Sequence, residues 1–367
     1  MQSISFSRRL RSTPFTSGVE AAGVKGYTNY NHMLLPTVFD SPENDYRHLK
    51  EHVQIWDVSC ERQIELVGPD ADLLMQLLTP RDLRGMKDDQ CCYVPIVDDA
   101  GGMLNDPVAV KRDVNRWWIS IADSDLLYWV KGVALGMKLN VSVREPDVSP
   151  LAVQGPKAAD LMARVFGDQI GDIRFFRYLA LPFNGKDFVV ARSGYSKQGG
   201  FEIYVEGSEN GMPLWQALFE EGKDLEVRAG CPSLIERIEG GLLSYGNDMT
   251  LENNPFECGL GKFCTLADDV DCIGKDALRR IRDEGPARMI RPIAFDGPAI
   301  AGPREQWPLF ASDQRVGQIT SAAWSPDFQT NVSIGMIGIE HCEAGTELKL
   351  ETPAGSRRAT VQASFWI

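Results

Sequence analysis

Metal-binding residues are scarce in this sequence, which contains four histidines and no CxxC pair among its eight cysteines. Two of the histidines, His48 and His52, lie four residues apart in RHLKEHVQIW and therefore share one face of a predicted helix. We interpret that face as solvated and not as a pair of metal ligands. The scattered cysteines predict reduced thiols, which are typical of the cytosol. We therefore predict no metal site.

Phosphate-binding motifs are absent as well. Neither GxGxxG nor GxxxxGK[ST] occurs in the chain. Binding of a nucleotide through a glycine-rich loop therefore lacks sequence support. The segment VQGP at 153–156 is a strand-to-helix turn with two interpretations. In one interpretation, the backbone N–H groups of the first helical turn bind an anion. In the other, the segment is a plain turn with proline at the start of a helix.

The sequence also lacks any run of ~18 apolar residues, the length that a membrane-spanning helix needs. The formal net charge is -13, and no extended basic run interrupts it, which argues against nucleic acid or anionic membrane as the main partner. The N-terminal MQSISFSRRLRSTPF has basic residues without an apolar segment after them. We therefore expect no secretory signal and predict a cytoplasmic location.

What is present is an ordinary globular composition, with 43% hydrophobic and 24% charged residues in a chain of 367. That length predicts about two or three domains. A turn at Asp99–Gly102 is predicted to join strands Tyr93–Val97 and Pro107–Lys111. The Pro/Gly-rich span Gly285–Pro303 predicts a linker. The segments RPIAFDG, RVGQITSAAWS, VSIGMIGIE, TELKLET and RRATVQAS predict the short strands of a small all-β domain. One helix is predicted to begin at Pro42. Four others are predicted over Asp70–Leu78, Asp125–Met137, Leu214–Gly222 and Leu234–Leu243.

The segment SGYSKQGGFEIYVE, residues 193–206, is a glycine-rich turn that leads into a strand. Side chains alternate between the two faces of a strand, so Phe201, Ile203 and Val205 form one apolar face. Glu202 and Tyr204 then lie on the other face. That second face belongs to a solvated edge strand, or it lines a binding site.

Two further segments carry candidate site residues. Asn105 and Asp106 follow the glycine-rich hairpin turn, where an acid either caps the turn or belongs to a site. Trp117 and Trp118 lie next to each other in RWWISIADSD and cannot share a face of a strand. One of them should belong to the core, and the other is available to a pocket or an interface.

Ordered motifs along nearly the whole chain resemble the glycine-cleavage T-protein (aminomethyltransferase) family. LRSTPF at 10–15 resembles its opening motif, GGMLNDPVAV its GGxxDDLxV hairpin, and AVQGPKA its AVQGP turn. SGYSKQGGFEI is similar to GYTGExGYEI, RIEGGLLSYGNDM to RLEAGxxLYGxDM, CIGKDAL to FIGKxAL, and ITSAAWSP to TSGxxSP. Within the family, stretches such as YNHMLLPTVF, LKEHVQIWDVSCERQ and LLSYGNDMTLENNPFECG resemble the dimethylsulfoniopropionate demethylases more than the T-proteins.

The resemblance implies an α+β fold, a three-lobed T-protein-like disc with two mixed α+β lobes and a C-terminal β-barrel domain around a central folate channel. Residues 1–284 would form two interleaved lobes, approximately 1–50 with 141–240 and 51–140 with 241–284. Residues 285–367 would form the all-β domain.

The resemblance also implies tetrahydrofolate as the cofactor and a small sulfonium compound as the substrate. The methyl group would pass from the sulfur of dimethylsulfoniopropionate to N5 of tetrahydrofolate. The family's glutamate on the GYE strand corresponds to Glu202, which would accept the paired donors of the pterin ring. Asp106 would bind folate near N5 or N10, and it is our catalytic candidate together with Tyr204. Further folate-binding candidates are Tyr93, Asn105, Phe176 and Tyr195; substrate-binding candidates are Tyr204, Tyr195, Trp117, Trp118, Ser120 and Lys197.

Three alternatives stay open. The T-protein has a pair of aspartates where this chain has Asn105 and Asp106, a departure that counts against aminomethyl transfer, because an amine leaving group needs acid–base help. Another folate-dependent demethylase, acting on a betaine or a methoxyaromatic compound, is the second alternative. A non-catalytic folate-binding regulator is the third. The resemblance allows a homodimer.

Overall fold

The computed structural model describes residues 7–367. The helices of these residues are α1 (Thr16–Ala21), α2 (Pro42–Glu51), α3 (Ala71–Leu78), α4 (Leu126–Gly136), α5 (Ala158–Phe166), α6 (Gly211–Glu221), α7 (Leu234–Glu239) and α8 (Lys275–Glu284). The first strands are β1 (Gly26–Tyr30), β2 (Met33–Val38), β3 (Gln54–Asp57), β4 (Gln63–Val67), β5 (Cys91–Tyr93), β6 (Ile96–Val97), β7 (Met103–Asn105), β8 (Val108–Asp113), β9 (Arg116–Ser120) and β10 (Ser142–Arg144). The others are β11 (Val148–Gln154), β12 (Tyr178–Phe183), β13 (Lys186–Ala191), β14 (Gly200–Glu206), β15 (Arg228–Gly230), β16 (Arg288–Phe295), β17 (Trp307–Ala311), β18 (Gln314–Ser325), β19 (Thr330–Gly338), β20 (Glu347–Thr352) and β21 (Gly355–Val361).

The chain divides into two compact units, each assembled from separate segments. The sheet unit comprises the residues up to Asp72 together with Met86–Tyr93 and Val108–Ser233. The barrel unit comprises Leu73–Gly85, Val94–Pro107 and Leu234–Ile367. Both units therefore draw on the middle of the chain.

The sheet unit contains two large sheets. A six-stranded sheet has the order β12-β13-β14-β11-β3-β15 and is antiparallel except for the parallel pair β15 and β3. A five-stranded antiparallel sheet has the order β10-β4-β9-β8-β5. Helix α5 packs on β11, β12 and β14, and it also contacts α6. This arrangement buries one face of the six-stranded sheet in an apolar core.

The barrel unit ends in a closed barrel with the strand order β16-β19-β18-β17-β20-β21. All six strands contribute apolar side chains to its interior, including Ile293, Leu309, Ile319, Ile337, Leu350 and Val361. Closure leaves no unpaired sheet edge. The predicted α+β class and the C-terminal barrel are both confirmed. The predicted strand RPIAFDG is confirmed, because β16 (Arg288–Phe295) pairs with β19 on one side and with β21 on the other. The linker that was predicted over the same residues is therefore wrong there.

Most of the predicted helices are present within a few residues of their expected ends. Helix α2 begins at Pro42, where the Ser41 hydroxyl accepts a hydrogen bond from the backbone N–H of Asn44 at 3.1 Å. Helix α7 ends at Glu239, four residues before the predicted end. The reason is Gly241, whose φ of 65° is left-handed and where a Cβ would lie 2.5 Å from the Phe365 ring.

The predicted hairpin of Tyr93–Val97 with Pro107–Lys111 forms two separate ladders instead of one. In the sheet unit, β5 pairs with β8, with Tyr93 opposite Val108. In the barrel unit, β6 pairs with β7, with Ile96 opposite Asn105. Proline has no N–H to donate, so Pro95 and Pro107 interrupt a continuous ladder.

The interpretation of His48 as solvated is wrong. His48 is 6% exposed, and its Nε2 lies 2.8 Å from the carbonyl oxygen of Glu226. Burial lowers the pKa of His48 to about 4. In residues 7–367 no group of three or more His, Cys, Asp or Glu side chains could hold a metal ion. None of the helices in that range is long and apolar enough to cross a membrane.

Candidate functional site

The strand β14 lies in the middle of its sheet, between β13 and β11. Phe201, Ile203 and Val205 belong to the core beneath α5 and α6, so the predicted alternation is confirmed. The opposite face is also buried, because Glu202 is 7% exposed and Tyr204 is 1% exposed. The solvated edge strand is therefore wrong, and the polar residues of β14 face the interior.

Glu202 is a buried carboxylate with little internal compensation. Its Oε2 accepts a hydrogen bond of 2.5 Å from the Ser193 hydroxyl. Among residues 7–367 no cation and no second donor contacts this carboxylate. Burial raises the pKa of Glu202, and the Ser193 bond offsets only part of that rise. An ionised Glu202 therefore has unused acceptor capacity for a ligand with two donors.

Tyr204 lies in an aromatic cluster on the same face of the sheet. Its ring centroid is 5.9 Å from that of Trp118, with 31° between the planes. Phe176 and Tyr178 pack in the same cluster, beside Cys91. Burial, followed by the negative charge of Glu202, raises the pKa of Tyr204 well above its usual value. The Tyr204 hydroxyl is therefore a neutral hydrogen-bonding group near neutral pH.

Ser120 connects this cluster to the five-stranded sheet. A hydrogen bond from Ser120 to Tyr204 partly offsets the rise in the tyrosine's pKa. Gln63 Nε2 donates to the Ser120 hydroxyl at 2.8 Å. Because Ser120 already accepts that bond, its own proton is available for Tyr204 or for a ligand.

The two adjacent tryptophans are buried on opposite faces of β9. Trp118 lies on the face of β9 that packs against Tyr204, and its Nε1 donates to Glu65 at 3.1 Å. Trp117 points the other way, and its Nε1 donates to Asp72 at 2.6 Å. The structure thus brings Trp118 together with Tyr204 and leaves Trp117 outside this cluster.

The glycine-rich turn carries the candidates that precede β14. Tyr195 is half-buried and packs against a cluster formed by Leu49, Trp56, Val58 and Ala152. Lys197 is exposed. The Ser196 hydroxyl donates to Gln154 Oε1 at 2.8 Å. Tyr195 and Lys197 therefore lie on either side of an anchored residue.

Phe176 has a strained backbone. Its φ is 57°, a left-handed value that is rare for a bulky residue. Two backbone bonds hold it there, from Phe176 N–H to Arg192 O at 3.0 Å and from Cys91 N–H to Phe176 O at 2.9 Å. This conformation places the Phe176 ring against the Tyr204 cluster.

The remaining candidates lie at strand ends. Tyr93, in the sheet unit, is half-buried at the end of β5. In the barrel unit, Asn105 is fully buried at the end of β7, and Asp106 follows it half-buried. Burial, and then the charge of Asp106, raises the pKa of Tyr245 to about 12.

Sequence reasoning missed three residues around Glu202 and Tyr204. They are Ser193, which bonds Glu202; Gln154, which anchors the glycine-rich turn; and Tyr178, which packs in the aromatic cluster. The AVQGP motif was the available signal for Gln154, but we interpreted it as a turn. A buried partner across strands leaves no periodic signal in a single sequence.

Comparisons with known proteins agree with this fold. The family model described as GCVT N-terminal domain matches residues 16–268, and the one described as glycine cleavage T-protein C-terminal barrel domain matches residues 289–366. The crystal structure of glycine cleavage system aminomethyltransferase T from Bartonella henselae has a TM-score of 0.86 at 22% identity, with 98% of both chains covered.

Two curated relatives match this chain over more than nine-tenths of its length. Dimethylsulfoniopropionate demethylase DmdA of Ruegeria pomeroyi is 62% identical over 366 residues, which covers 100% of both chains. An aminomethyltransferase of Halalkalibacterium halodurans is 28% identical over 348 residues, or 92% of this chain and 93% of the relative. With both domain models matched in order, the chain belongs to the glycine cleavage T-protein family.

Proposed function

We propose that the protein is a tetrahydrofolate-dependent demethylase of dimethylsulfoniopropionate. It transfers one methyl group from the sulfonium sulfur to N5 of tetrahydrofolate and yields methylmercaptopropionate and 5-methyltetrahydrofolate. The observation that carries this function is the 62% identity to DmdA over the full length of both chains. The residues around Glu202 and Tyr204 support it.

Glu202 fits the pterin ring of the folate. That ring presents an N–H and an amino group side by side, and a carboxylate accepts both in a charge-assisted pair. Glu202 is buried, and within residues 7–367 it is bonded only to Ser193 through Oε2 and has no cation beside it. A ligand that supplies two donors would compensate this carboxylate, so Glu202 would hold and orient the folate.

The aromatic cluster fits a sulfonium cation. Ring faces attract a soft cation without a full counter-charge, so the ground state is not bound too tightly. Trp118, Tyr204 and Phe176 share this cluster, and Tyr195 is a further candidate. Ser120 and Lys197 are our candidates for the substrate carboxylate. Of the two tryptophans, we favour Trp118 as the substrate-binding candidate, because it packs beside Tyr204.

The reaction depends on the alignment of the reacting atoms more than on acid catalysis. The methyl carbon–sulfur bond breaks, its electron pair stays on sulfur, and the leaving group is a neutral thioether that needs no proton. The N5 lone pair forms the new bond, and the N5 proton is lost afterwards. The protein holds the three reacting atoms in line at near-attack distance. Asp106 is our candidate for a hydrogen bond near N5 or N10 that balances the charge there, and Asn105 and Tyr93 are candidates for holding the folate.

An anaerobic assay with purified protein, dimethylsulfoniopropionate and tetrahydrofolate tests this function. We expect methylmercaptopropionate and 5-methyltetrahydrofolate in equal amounts and no formaldehyde. Reactions without folate, with glycine betaine as methyl donor, and with the glycine-cleavage substrates are the controls. Stoichiometric formaldehyde, or activity that persists without folate, would contradict the proposal. Turnover of betaine alone would instead identify another folate-dependent demethylase.

Location and assembly stay predictions. We propose a cytoplasmic protein, in keeping with eight free cysteines, of which seven are buried. The resemblance allows a homodimer. Cell fractionation and analytical ultracentrifugation would test the two predictions separately.

A further inference from the structure

Gln154 is a fully buried amide at the end of β11. Its Nε2 donates to the carbonyl oxygen of Ser193 at 3.1 Å and to that of Phe201 at 3.4 Å. Its Oε1 accepts from the Ser196 hydroxyl at 2.8 Å. Both donor protons and the carbonyl oxygen are thus used, which fixes the orientation of the amide.

The three residues that Gln154 contacts, Ser193, Ser196 and Phe201, all precede Glu202 in the chain, and one of them bonds its carboxylate. Ser193 donates its hydroxyl to Glu202, and Phe201 precedes Glu202 in β14. Ser196 lies between the two candidates Tyr195 and Lys197 of the glycine-rich turn. One side chain therefore ties the residue that bonds the carboxylate, the start of its strand and the middle of the turn.

Two glycines of the turn, Gly194 and Gly200, lie so close to the amide of Gln154 that a side chain at either position would clash with it. A Cβ at Gly194 would lie 2.1 Å from Gln154 Nε2, and one at Gly200 would lie 2.6 Å from the same atom. Their φ values, 152° and 151°, are also unfavourable for other residues. The backbone of the turn therefore packs directly on the side chain of Gln154.

We propose that Gln154 is a positioning residue of the folate site, acting through Ser193 and Glu202. This inference rests on the function proposed above. Without the amide, the carbonyl groups of Ser193 and Phe201 lose a buried donor, and Ser193 is free to move away from Glu202. The carboxylate then has to be reoriented when folate binds, and that reorganisation weakens binding.

A double-mutant cycle separates positioning from general stability. We expect Gln154→Met to weaken tetrahydrofolate binding about tenfold in the parent, as measured by anaerobic titration calorimetry. In the Glu202→Gln background the same substitution should weaken binding less than about threefold, because its effect passes through the carboxylate. Equal factors in the two backgrounds would overturn the proposal. So would parent-like affinity of the single variant.

Gln54 offers a matched control. It lies opposite Gln154 in the pairing of β3 with β11, is 2% exposed, and its amide donates to Asp45 O at 2.8 Å and accepts from Trp56 Nε1 at 2.8 Å. Gln54→Met removes comparable bonds, none of which goes to a residue of the Ser193–Gly200 segment. We expect similar losses of melting temperature for the two variants, with weakened folate binding for Gln154→Met alone. Weakening by Gln54→Met of the same size would mean that a buried amide matters only for stability.

Hydrogen–deuterium exchange tests the inference without any folate. In Gln154→Met the amides of Ser193–Gly200 should exchange faster, while those of the barrel strands should not change. Unchanged exchange in this segment would overturn the inference even for an active demethylase. If the parent shows no folate-dependent turnover while this segment still loosens, the proposed function fails and the packing role of Gln154 stands. Ser196→Ala, which removes one bond of the three, gives a milder variant that should change exchange in the same direction.

Discussion

Two buried carboxylates, one in each unit, have opposite surroundings. Asp248 of the barrel unit is 2% exposed and accepts four hydrogen bonds. Its Oδ2 accepts from Arg237 Nη1 at 2.9 Å and from the backbone N–H of Ser244 at 3.0 Å. Its Oδ1 accepts from the hydroxyls of Thr320 at 2.7 Å and Ser321 at 2.6 Å. The charge of Asp248 is therefore fully compensated inside the protein.

Glu202 of the sheet unit is buried almost as deeply and, among the residues that the structure describes, has one donor, the Ser193 hydroxyl. A buried charge is costly unless it is paired and hydrogen-bonded. Compensation from within makes Asp248 a structural residue that joins α7 to β18. The single donor at Glu202 is consistent with the role in folate binding that we propose for it. The count of internal donors, more than burial itself, separates the two roles.

The largest effect is expected from Asp248→Asn. The amide is neutral, so Arg237 would lose its buried counter-charge, and the NH2 group would replace an oxygen that now accepts two hydrogen bonds. Breaking a buried ion pair on one side costs about 3–5 kcal/mol in unfolding free energy. Chemical denaturation measures this loss. The control is Glu351→Gln, which removes an exposed pair with Lys349 on the same barrel and should leave the midpoint unchanged. Equal stability of the two variants would contradict the structural role of Asp248.

The next effect concerns Glu202→Gln and appears in binding. The amide replaces one acceptor by a donor that faces a pterin donor, so tetrahydrofolate affinity should fall by about 2–4 kcal/mol, or roughly 30- to 1000-fold. Anaerobic titration calorimetry measures the change. Glu206→Gln is the control, since Glu206 lies on the same face at the strand end and pairs with Arg112 at 3.3 Å. Similar small effects of both substitutions would remove Glu202 from the folate site.

A smaller effect is expected from Asn105→Asp, which restores the aspartate pair of the T-protein. We expect a several-fold loss of demethylase activity and no glycine-cleavage activity. A second carboxylate beside a cationic substrate would stabilise its ground state more than its charge-dispersed transition state. Thermal melting accompanies the assay, because position 105 is fully buried. A folded variant as active as the parent would show that this position does not set the chemistry.

The smallest effect is the pH dependence of stability at Glu202. The pKa of Glu202 in the folded protein lies above the ordinary 4.5, so the folded state holds this proton more tightly than the unfolded state does. The resulting stabilisation of the folded protein is fully present below pH 4.5. It is lost as the pH rises through the folded-state pKa. The melting temperature of Glu202→Gln relative to the parent should therefore rise between pH 4 and pH 8. A constant difference across this range would show that Glu202 titrates normally.

The alternation along β14 could be predicted from the sequence because strand side chains repeat with period two. Residues 201, 203 and 205 fall on one face whatever surrounds them. The start of α2 was predicted from the segment that begins at Pro42, and the motifs of the family were sufficient for its fold. These features depend on neighbours in the chain or on a long ordered pattern.

The second face of β14 was decided by tertiary structure. This face is buried because Cys91, Val110 and Trp118 of the five-stranded sheet pack in the cluster of Tyr204, and because the segment before β14 returns to Gln154. Local sequence encodes neither of these long-range contacts. His48 is buried for the same reason, since its partner Glu226 lies 178 residues away. The span predicted as a linker became β16, because closing the barrel requires a strand between β19 and β21. Local sequence determined which residues share a face, and long-range pairing decided what each face meets.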